Sequence, residues 1–516
     1  MPRLFLDIRP LVFWPAFLVL MIAVLLSVID LESFLSVMQT LNQRVLDSFG
    51  WLFSYGSFYL LLLVIATYCS PLGKVVIGGS NARPLLSKPR WFFITLCTTL
   101  AVGILFWTTA EPIYHLYEPP SSVKLEAGSA EAARFALAAM YLHWSFTPYA
   151  IYTIPALTFA LSFYNRRLPF SISSSLHPVF GKLVDGKSAD LIDTLALYAL
   201  ITGMAASLGT GAITLVGGAG EIIDIATTPI TLGIAIAAIV ATFVLSTVSG
   251  LKKGIARLSL VNALLLLALG LFVLLLGPTS EQIGIATGGL KHYGENFLAL
   301  SLLSGSTGGD DWPLRWSVFY WAVWFAWAPV SALFLGRIGR GYTVREFIRI
   351  NFLYPASFAV VWISIFSGTA IHFDLSGLGG LNSLLQTLGP EKLLYAVFGE
   401  LPLSGYTIPL LVFIAFISFV TAADSNTDAI GSLCTEGVTA DSEESLGLGI
   451  KVLWGSTIGI VSWSMVSYAG IDGIRMLSNL GGIAAITIVL ASSLSLCKWL
   501  AKPSYVSEIA DDPSSV

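Results

Sequence analysis

Residues 316–338 contain a run of aromatic side chains whose spacing suits a binding chemistry. On a helix that turns about 100° per residue, five large rings fall on one face, with Phe319 beside them: Trp316, Tyr320, Trp324, Trp327 and Phe334. One interpretation is bulk that packs against lipid or other helices, because aromatic residues are common at membrane interfaces. The other is a cage for a quaternary ammonium ion, which has no N–H to donate and binds best against ring faces. The stripe alone leaves both interpretations open.

A polar stripe lies in residues 421–428, at the end of an apolar stretch. Thr421 and Asp424 fall on one face of this segment at helical spacing. A carboxylate deep in a membrane is costly and therefore marks a functional site by default. If the helix ends near Ala423, however, the same residues lie at the membrane interface and carry no such implication. Both placements remain open at this point.

The composition indicates which elements must position these residues. Of the 516 residues, 55% are apolar and only 11% are charged, which excludes an ordinary soluble protein. A membrane-spanning helix needs about 20 mostly apolar residues. Twelve stretches meet that requirement: Leu11–Ile29, Phe49–Cys69, Trp91–Ala110, Phe135–Tyr164, Ile192–Val216, Pro229–Ser249, Leu258–Leu276, Phe319–Leu335 with its flanks, Asn351–Ile371, Ile408–Ala423, Ile450–Tyr468 and Leu477–Leu500. The prediction is an all-α polytopic membrane protein with twelve transmembrane helices.

The distribution of charge predicts the orientation of these helices. With the N-terminus inside, most of the 27 lysines and arginines fall in cytoplasmic segments, as the positive-inside rule requires. The acidic loop from Glu436 to Glu444 is an exception, since it is also placed inside. We therefore predict a multi-pass protein with both termini in the cytoplasm.

Metal, disulfide and enzyme chemistry find little support in the sequence. The four cysteines have no paired spacing, and the five scattered histidines form no HExxH motif. A membrane enzyme would need a nucleophile or paired acids, and the one polar cluster of that kind surrounds Asp424. The prediction is a protein that is not an enzyme, holds no metal or cofactor and binds no nucleic acid.

The residue order around the aromatic stripe is specific. Residues 327–329 read Trp-Ala-Pro, residues 337–341 read Arg-Ile-Gly-Arg-Gly, and residues 345–346 read Arg-Glu. This order resembles the betaine/carnitine/choline transporter family, in which one aromatic-rich helix continues into Trp-Ala-Pro or Trp-Ser-Pro and then into an arginine motif. The resemblance extends from Trp91 to Leu500.

The resemblance implies two leading helices followed by two inverted five-helix repeats, a LeuT-like fold. The corresponding division of the chain is residues 1–90 for the leading helices and a cytoplasmic loop, 91–278 for the first repeat, 279–315 for an external amphipathic connection, 316–501 for the second repeat, and 502–516 for a short acidic cytoplasmic tail. The first helix of each repeat is rich in aromatic residues and broken by proline near one end, which is a pointer used for such folds.

The resemblance also implies where a substrate binds. The residues that match the family's substrate-binding positions are Trp144, Tyr149, Tyr152, Trp324, Trp327, Gly103 and Phe319. The aromatic residues of 144–152 would form one side of a central cage, and those of 324–327 the other. A packed aromatic core is the alternative, because the rings of 144–152 spread over about 140° of a helix. His143 is interpreted as a hydrogen-bonded core residue rather than a proton carrier.

The positions that bind sodium in sodium-coupled relatives argue against sodium here. The resemblance aligns Leu200 and Met204 with threonines that ligate the ion, and hard cations prefer oxygen ligands. Thr421 retains a hydroxyl at a third such position. Two alternatives remain open: proton symport through Asp424 or Glu111, and exchange of substrate for product.

Together these features predict a secondary active transporter for a quaternary ammonium or related compound, such as glycine betaine, choline or carnitine. It would work by alternating access in the plasma membrane, the inner membrane of a bacterium. The alternative is a transporter of the same inverted-repeat fold for amino acids or other small solutes, which would not need the tryptophans. The resemblance further implies membrane lipids as partners and a homotrimeric assembly.

Overall fold

The computed structural model describes residues 8–99, 103–248, 252–303, 310–436 and 448–506. Within these ranges the chain forms α-helices joined by short 3₁₀ and π-helical turns, with two isolated β-bridges in place of strands. The helices of the first half are α1 (Pro10–Ile29), α2 (Leu31–Cys69), α3 (Lys88–Thr99), α4 (Gly103–Tyr117), α5 (Ala130–Trp144), α6 (Phe146–Ala160), α7 (His177–Phe180), α8 (Lys187–Ile223), α9 (Pro229–Val248) and α10 (Lys252–Leu276).

The helices of the second half are α11 (Thr279–Ser301), α12 (Phe319–Ile338), α13 (Val344–Ile348), α14 (Tyr354–Leu375), α15 (Leu381–Leu388), α16 (Leu393–Gly399), α17 (Ser404–Leu433) and α18 (Leu448–Ala501). α18 is broken at Gly470, whose φ of 54° and ψ of −134° are not helical. Glycine adopts such a conformation at little cost, because it has no Cβ. The break separates the last two predicted spans.

The described residues contain seven helical stretches that are long and apolar enough to cross a membrane, or nine if each of two bent pairs is one span. The chain is therefore an all-helical, multi-pass membrane protein, as its composition predicts. The sequence predicts twelve membrane spans, which is more than the seven to nine candidates found among the described residues. Three features account for part of the difference. The stretch Trp91–Ala110 is divided between α3 and α4, with residues 100–102 outside the described ranges. The apolar part of α9 is short, and α18 counts once although it holds two predicted spans.

Proline and glycine account for the two bent pairs. Gly277 and Pro278 follow α10, and the chain turns there by 106° into α11. In α12, Pro329 removes a backbone N–H donor, and the helical segments on its two sides meet at 53°. This kink follows Trp327 closely, so it separates the aromatic half of α12 from its arginine-bearing end.

Helices α6, α8, α12 and α18 pack against one another at the centre of the molecule. A Cβ added to Gly482 of α18 would lie 2.5 Å from the carbonyl oxygen of Ala322 on α12, so only glycine permits this approach. Gly203 of α8 faces Ala326 of α12, where a Cβ would lie 3.3 Å from the alanine methyl group. Small residues of this kind let helices approach closely in lipid. The close packing places the aromatic half of α12 among the other three helices.

An ion pair fixes the start of α1, whereas the predicted acidic segments near the C-terminus lie mostly outside the described residues. Arg9 ties α1 to α8, since its guanidinium lies 2.7 Å from carboxylate oxygens of both Asp190 and Asp193. Most of the predicted acidic tail, residues 507–516, and most of the acidic loop, residues 437–444, lie outside the described residues.

Candidate functional site

A cavity of about 680 Å³, including its open side, lies at the centre of the helix packing. Its lining residues are Thr98, Thr99, Gly103, Trp107, Trp144, Tyr152, Gly203, Ala206, Ser207, Thr210, Phe319, Tyr320, Val323, Trp324, Trp327, Ile474 and Ser478. Seven of these side chains are aromatic and the rest are small, apolar or hydroxyl-bearing. We call this space the aromatic cavity. Among the described residues that line it, none carries a formal charge, so a cation there would meet ring faces instead of a carboxylate.

Trp324 is the centre of the ring arrangement. Its ring centroid lies 5.3 Å from that of Trp144 and 5.3 Å from that of Tyr152, with interplanar angles of 86° and 74°. Tyr320 packs on Trp144 at 5.4 Å and 65°. Edge-to-face pairs of this kind are favourable in themselves. They also turn the faces of neighbouring rings in different directions, which is the arrangement that a cation cage requires.

Six of the seven predicted substrate-binding residues line the aromatic cavity: Gly103, Trp144, Tyr152, Phe319, Trp324 and Trp327. Tyr149 does not. Its ring is fully buried, packs on Tyr152 at a centroid distance of 6.5 Å, and places its hydroxyl oxygen 3.5 Å from Oγ1 of Thr99. Tyr149 therefore supports a wall of the cavity from outside, because Tyr152 occupies the position next to the open space.

Gly103 contributes space to the cavity. It begins α4, and a Cβ at this position would lie 2.9 Å from the edge of the Trp144 indole. The missing side chain thus lets the Trp144 ring reach its place. The predicted unwound segment around Gly103 lies partly outside the described residues, since residues 100–102 precede it.

A buried carboxylate holds two rings of the cavity in place. Glu111 on α4 is fully buried, and its Oε2 accepts hydrogen bonds from Nε1 of Trp144 at 2.8 Å and from the hydroxyl of Tyr320 at 2.5 Å. Its Oε1 lies 2.7 Å from Nδ1 of His143 and 3.1 Å from Nε2 of His115. Hydrogen bonds to an ionised group are short and strong. The four partners satisfy both oxygens of Glu111, and the carboxylate in turn orients the Trp144 indole and the Tyr320 phenol.

The two histidines extend this network. Nε2 of His143 lies 2.9 Å from Oγ of Ser317, and the backbone carbonyl of His143 accepts a hydrogen bond from Nε1 of Trp324 at 2.9 Å. Nδ1 of His115 accepts a hydrogen bond from Nε1 of Trp312 at 3.3 Å. His143 is thus a fully hydrogen-bonded residue of the protein interior. We refer to Glu111, His115, His143 and their partners as the Glu111 network.

Glu111, His115 and His143 are also groups of the kind that bind metals, and their ligand atoms lie within 4.8 Å of one another. The sequence shows scattered histidines and does not predict this grouping. The separations from Oε1 to the two imidazoles are those of direct hydrogen bonds. The remaining ring nitrogens lie within hydrogen-bond distance of Ser317 and Trp312, so each imidazole nitrogen of the group has a partner.

The residues predicted for ion coupling do not share one site. Glu111 lies beside the aromatic cavity, whereas Thr421 and Asp424 lie on α17. The Thr421 hydroxyl donates to the carbonyl oxygen of Ile417 at 2.9 Å. Asp424 is buried, and its Oδ1 lies 3.3 Å from Nζ of Lys451. Of the two placements left open by the sequence, the structure supports the buried one, because α17 continues to Leu433.

Sequence reasoning missed Trp107 and the partners of Glu111. Trp107, Glu111 and His115 recur at intervals of four residues, so they fall on one face of α4 and this spacing is a usable signal. The link between Glu111 and His143 spans 32 residues and two helices. No periodicity within either helix predicts it.

A carboxylate in the connection before α12 supports the same region from outside the spans. Asp310 accepts hydrogen bonds from the backbone N–H groups of Ser122 at 2.9 Å and Trp312 at 3.1 Å. Burial alone would raise the pKa of Asp310, but the hydrogen bonds from Ser122 and Trp312 outweigh it and hold the pKa below its ordinary value. Because Trp312 also donates to His115, Asp310 is connected to the Glu111 network.

Known proteins resemble this chain over nearly its full length. The chain is 30% identical over 504 residues to an osmo-independent choline transporter of Acinetobacter baylyi, covering 96% of this chain and 93% of the relative. It is 32% identical to glycine betaine transporter 1 of Vibrio parahaemolyticus, covering 87% and 85%, and 31% identical to the glycine betaine transporter OpuD of Bacillus subtilis, covering 95% and 94%. The family model for the betaine/carnitine/choline family transporters matches residues 11–504. The predicted resemblance is confirmed, and this chain belongs to the betaine/carnitine/choline transporter family.

Proposed function

We propose that this protein is a secondary active transporter that carries a quaternary ammonium compound across a bacterial inner membrane. The substrate class comes from the relatives, which are named for choline and glycine betaine transport. The observation that supports it in this chain is the aromatic cavity, where Trp324 is flanked by perpendicular rings of Trp144 and Tyr152. Such a wall suits a cation without N–H groups, since it offers π faces and no formal charge.

The energetics of this site are sufficient for useful affinity. Each desolvated cation–π contact contributes about 2 kcal/mol. Three or four such contacts approach the roughly 8 kcal/mol that corresponds to micromolar binding, and burial of the methyl groups adds to them. The Glu111 network strengthens the site indirectly, because rings that are already oriented lose little entropy when the substrate binds.

The transport cycle belongs to the same proposal. Two leading helices and two inverted five-helix repeats, twelve spans in total with both termini in the cytoplasm, would let one bundle rock against the other around a fixed central site. The kink at Pro329 and the break at Gly470 are positions where α12 and α18 bend within their length. The aromatic cavity lies between these two helices and α8, so rocking would open it to each side in turn.

We further propose that transport does not require sodium. Leu200 and Met204 are buried and apolar, and neither side chain offers the oxygen that a hard cation needs. The hydroxyl of Thr421 is already engaged with backbone carbonyls. Glu111 is the carboxylate adjacent to the aromatic cavity, which makes it a candidate for proton coupling.

The test of the cage is uptake of labelled choline and glycine betaine into proteoliposomes. Replacing Trp324 by leucine removes the central ring, so we expect uptake to be abolished while the protein remains in the membrane. The matched control is Trp14→Leu, since Trp14 is half exposed on the outside of α1 and distant in sequence from the cavity. Uptake that survives Trp324→Leu unchanged would mean that the cage assignment is wrong.

Competition and gradient experiments separate the remaining alternatives. Unlabelled amino acids should fail to compete with choline or glycine betaine for uptake. Effective competition by amino acids would favour the alternative, a transporter of the same fold for amino acids. Uptake should be the same with and without a sodium gradient, and a requirement for sodium would contradict the coupling proposal. If an inward proton gradient accelerates uptake, proton coupling through Glu111 is supported. If substrate on the opposite side stimulates uptake without any ion gradient, exchange of substrate for product is supported.

A further inference from the structure

A positively charged side chain lies against one wall of the aromatic cavity and takes no part in the Glu111 network. The guanidinium carbon of Arg475, on α18, lies 5.1 Å from the ring centroid of Trp316 and 5.6 Å from that of Phe319. Phe319 lines the aromatic cavity, and so do Ile474 and Ser478 on the same helix as Arg475. The charge therefore lies beside the cavity, against one of the rings that form it.

Arg475 uses little of its capacity for hydrogen bonds. Its Nη1 lies 3.3 Å from Oδ1 of Asp472, whose side chain is 75% exposed, and its Nε is buried without a partner among the described residues. An ion pair with so exposed a partner contributes little. Arg315, by contrast, is engaged by both Asp311 and Glu118. Because a guanidinium offers five N–H donors, Arg475 can still bind an anionic group.

The position of this charge distinguishes the two ends of the aromatic cavity. Phe319 lies where α12 begins, and Trp324 lies more than one helical turn further along. The guanidinium of Arg475 at the Phe319 end repels a second cation there. At the other end, Trp324 packs on Trp144, and Trp144 is hydrogen-bonded to the carboxylate of Glu111. A quaternary ammonium is therefore favoured at the Trp324 end, and an anionic group of the same molecule is favoured toward Arg475.

We propose that Arg475 is a specificity-determining residue that favours substrates with a carboxylate in addition to the quaternary nitrogen. This inference rests on the proposed function and narrows it to zwitterions, a choice that the relatives leave open because they are named for choline and for glycine betaine. Glycine betaine presents a carboxylate to the guanidinium, which is a favourable pairing. Choline has a hydroxyl group instead, so its one charge meets only repulsion, and such repulsion is a usual source of specificity.

The experiment measures equilibrium binding of labelled glycine betaine and labelled choline to the purified full-length protein, and compares the two dissociation constants. Arg475→Gln removes the charge, whereas Arg475→Lys keeps the charge and loses the planar guanidinium. The matched control is Arg166→Gln, because Arg166 also stacks on a ring, that of Tyr505 at 4.3 Å, and does not line the aromatic cavity. Each protein is measured at low and at high concentrations of potassium chloride.

We expect wild type to bind glycine betaine more tightly than choline. In Arg475→Gln this preference should fall about tenfold, because glycine betaine loses its partner while choline binds at least as tightly as before. Arg475→Lys should keep most of the preference, and Arg166→Gln should leave both constants within about twofold. Raising the salt from about 0.01 M to about 1 M shortens the Debye length from about 30 Å to about 3 Å, so the preference should fall in wild type and change little in Arg475→Gln.

Several results would overturn the inference. If Arg475→Gln weakens both ligands equally, or if Arg475→Lys behaves like Arg475→Gln, the side chain only holds the rings of Trp316 and Phe319 in place. If wild type prefers choline, or if its preference does not depend on salt, the charge does not select the substrate; both measurements use wild type and need no variant to fold. A wild-type protein that binds neither compound contradicts the proposed function itself.

Discussion

Two buried polar groups on either side of the aromatic rings have opposite surroundings. Glu111, behind the aromatic cavity, is fully buried and has four hydrogen-bond partners. Asn426, on α17, is almost as buried and has none among the described residues. The two groups therefore differ in how many hydrogen bonds the surrounding packing supplies to them. The hydrogen-bonded network of Glu111 fixes the rings that line the aromatic cavity, whereas the Asn426 amide fixes no neighbouring side chain through a hydrogen bond within the described part of the chain.

The comparison also explains why the carboxylate does not face the aromatic cavity directly. A buried carboxylate is tolerated only when it is fully paired, and Glu111 uses its oxygens on Trp144, Tyr320 and the two histidines. The surface that lines the aromatic cavity is left to rings, small residues and hydroxyl groups. Under the proposed function, such a surface would select a cation through its π faces and its shape, without a salt bridge.

The largest effect that would test this comparison comes from removing the carboxylate. Glu111→Leu removes the partner of one nitrogen on each of the two imidazoles, of the Trp144 indole N–H and of the Tyr320 hydroxyl in the interior. Breaking a buried charged network costs about 3–5 kcal/mol of unfolding free energy. We expect a sharp fall in melting temperature and in the yield of folded protein, measured by thermal unfolding in detergent. Glu111→Gln, which keeps the shape, should fold better and still bind glycine betaine weakly; a Glu111→Leu protein as stable as wild type would remove the contrast with Asn426.

A smaller effect is expected when one partner of the carboxylate is removed. Tyr320→Phe deletes the hydroxyl that donates to Oε2 and keeps the ring. Hydrogen bonds to charged groups contribute about 1.5–3 kcal/mol, so the melting temperature should fall by less than in Glu111→Leu. The loosened ring should also weaken binding of glycine betaine, as followed by fluorescence. Phe319→Leu is the matched comparison, because it removes a cavity ring that has no hydroxyl; it should weaken binding with a smaller loss of stability.

The position of the Trp144 ring can be tested without touching its hydrogen bond. Gly103→Ala places a methyl group where the indole edge now lies, at a calculated separation of 2.9 Å. Overpacking of this size typically costs about 1–3 kcal/mol, and here the strain falls on a ring that Glu111 holds. We expect a severalfold loss of affinity for the substrate with little change in expression. Gly284→Ala on α11, where a Cβ meets nothing within 4 Å, is the control; equal effects of the two changes would show that the indole moves freely.

The smallest effect is expected in the connection before α12, where Asp310 is linked to the Glu111 network through Trp312. Asp310→Asn removes the charge that accepts hydrogen bonds from Ser122 and Trp312. Because the pKa of Asp310 is lowered in the folded protein, its stabilisation is present above the unfolded pKa of about 3.9 and disappears as pH falls through the folded value. We expect wild type to be more stable than Asp310→Asn at neutral pH, by about 1 kcal/mol, and the two melting curves to converge once the pH is below the lowered pKa of the folded protein. A constant difference at all pH values would contradict this account.

Much of the aromatic half of the site follows from sequence. The helical period predicts that Tyr320, Trp324 and Trp327 share a face, and these three side chains line one cavity together with Phe319. Trp316 and Phe334 belong to the same stripe and do not line it, because the stripe is longer than the cavity. Tyr149, which is predicted to contact the substrate, packs on Tyr152 and is not among the lining residues of the aromatic cavity, whereas Tyr152 is.

The sequence by itself determined the membrane class, the family and the helix face that carries the rings, because hydropathy, short motifs and the 3.6-residue period are local properties. The tertiary structure alone decided which polar groups are satisfied. Glu111 meets His143 and Tyr320 only when α4, α5 and α12 pack together. Asn426 has no hydrogen-bond partner within the described ranges, where the surfaces packed around it are mostly apolar. Hydrogen bonds between distant segments depend on the relative placement of whole helices, and no pattern along one helix encodes that placement.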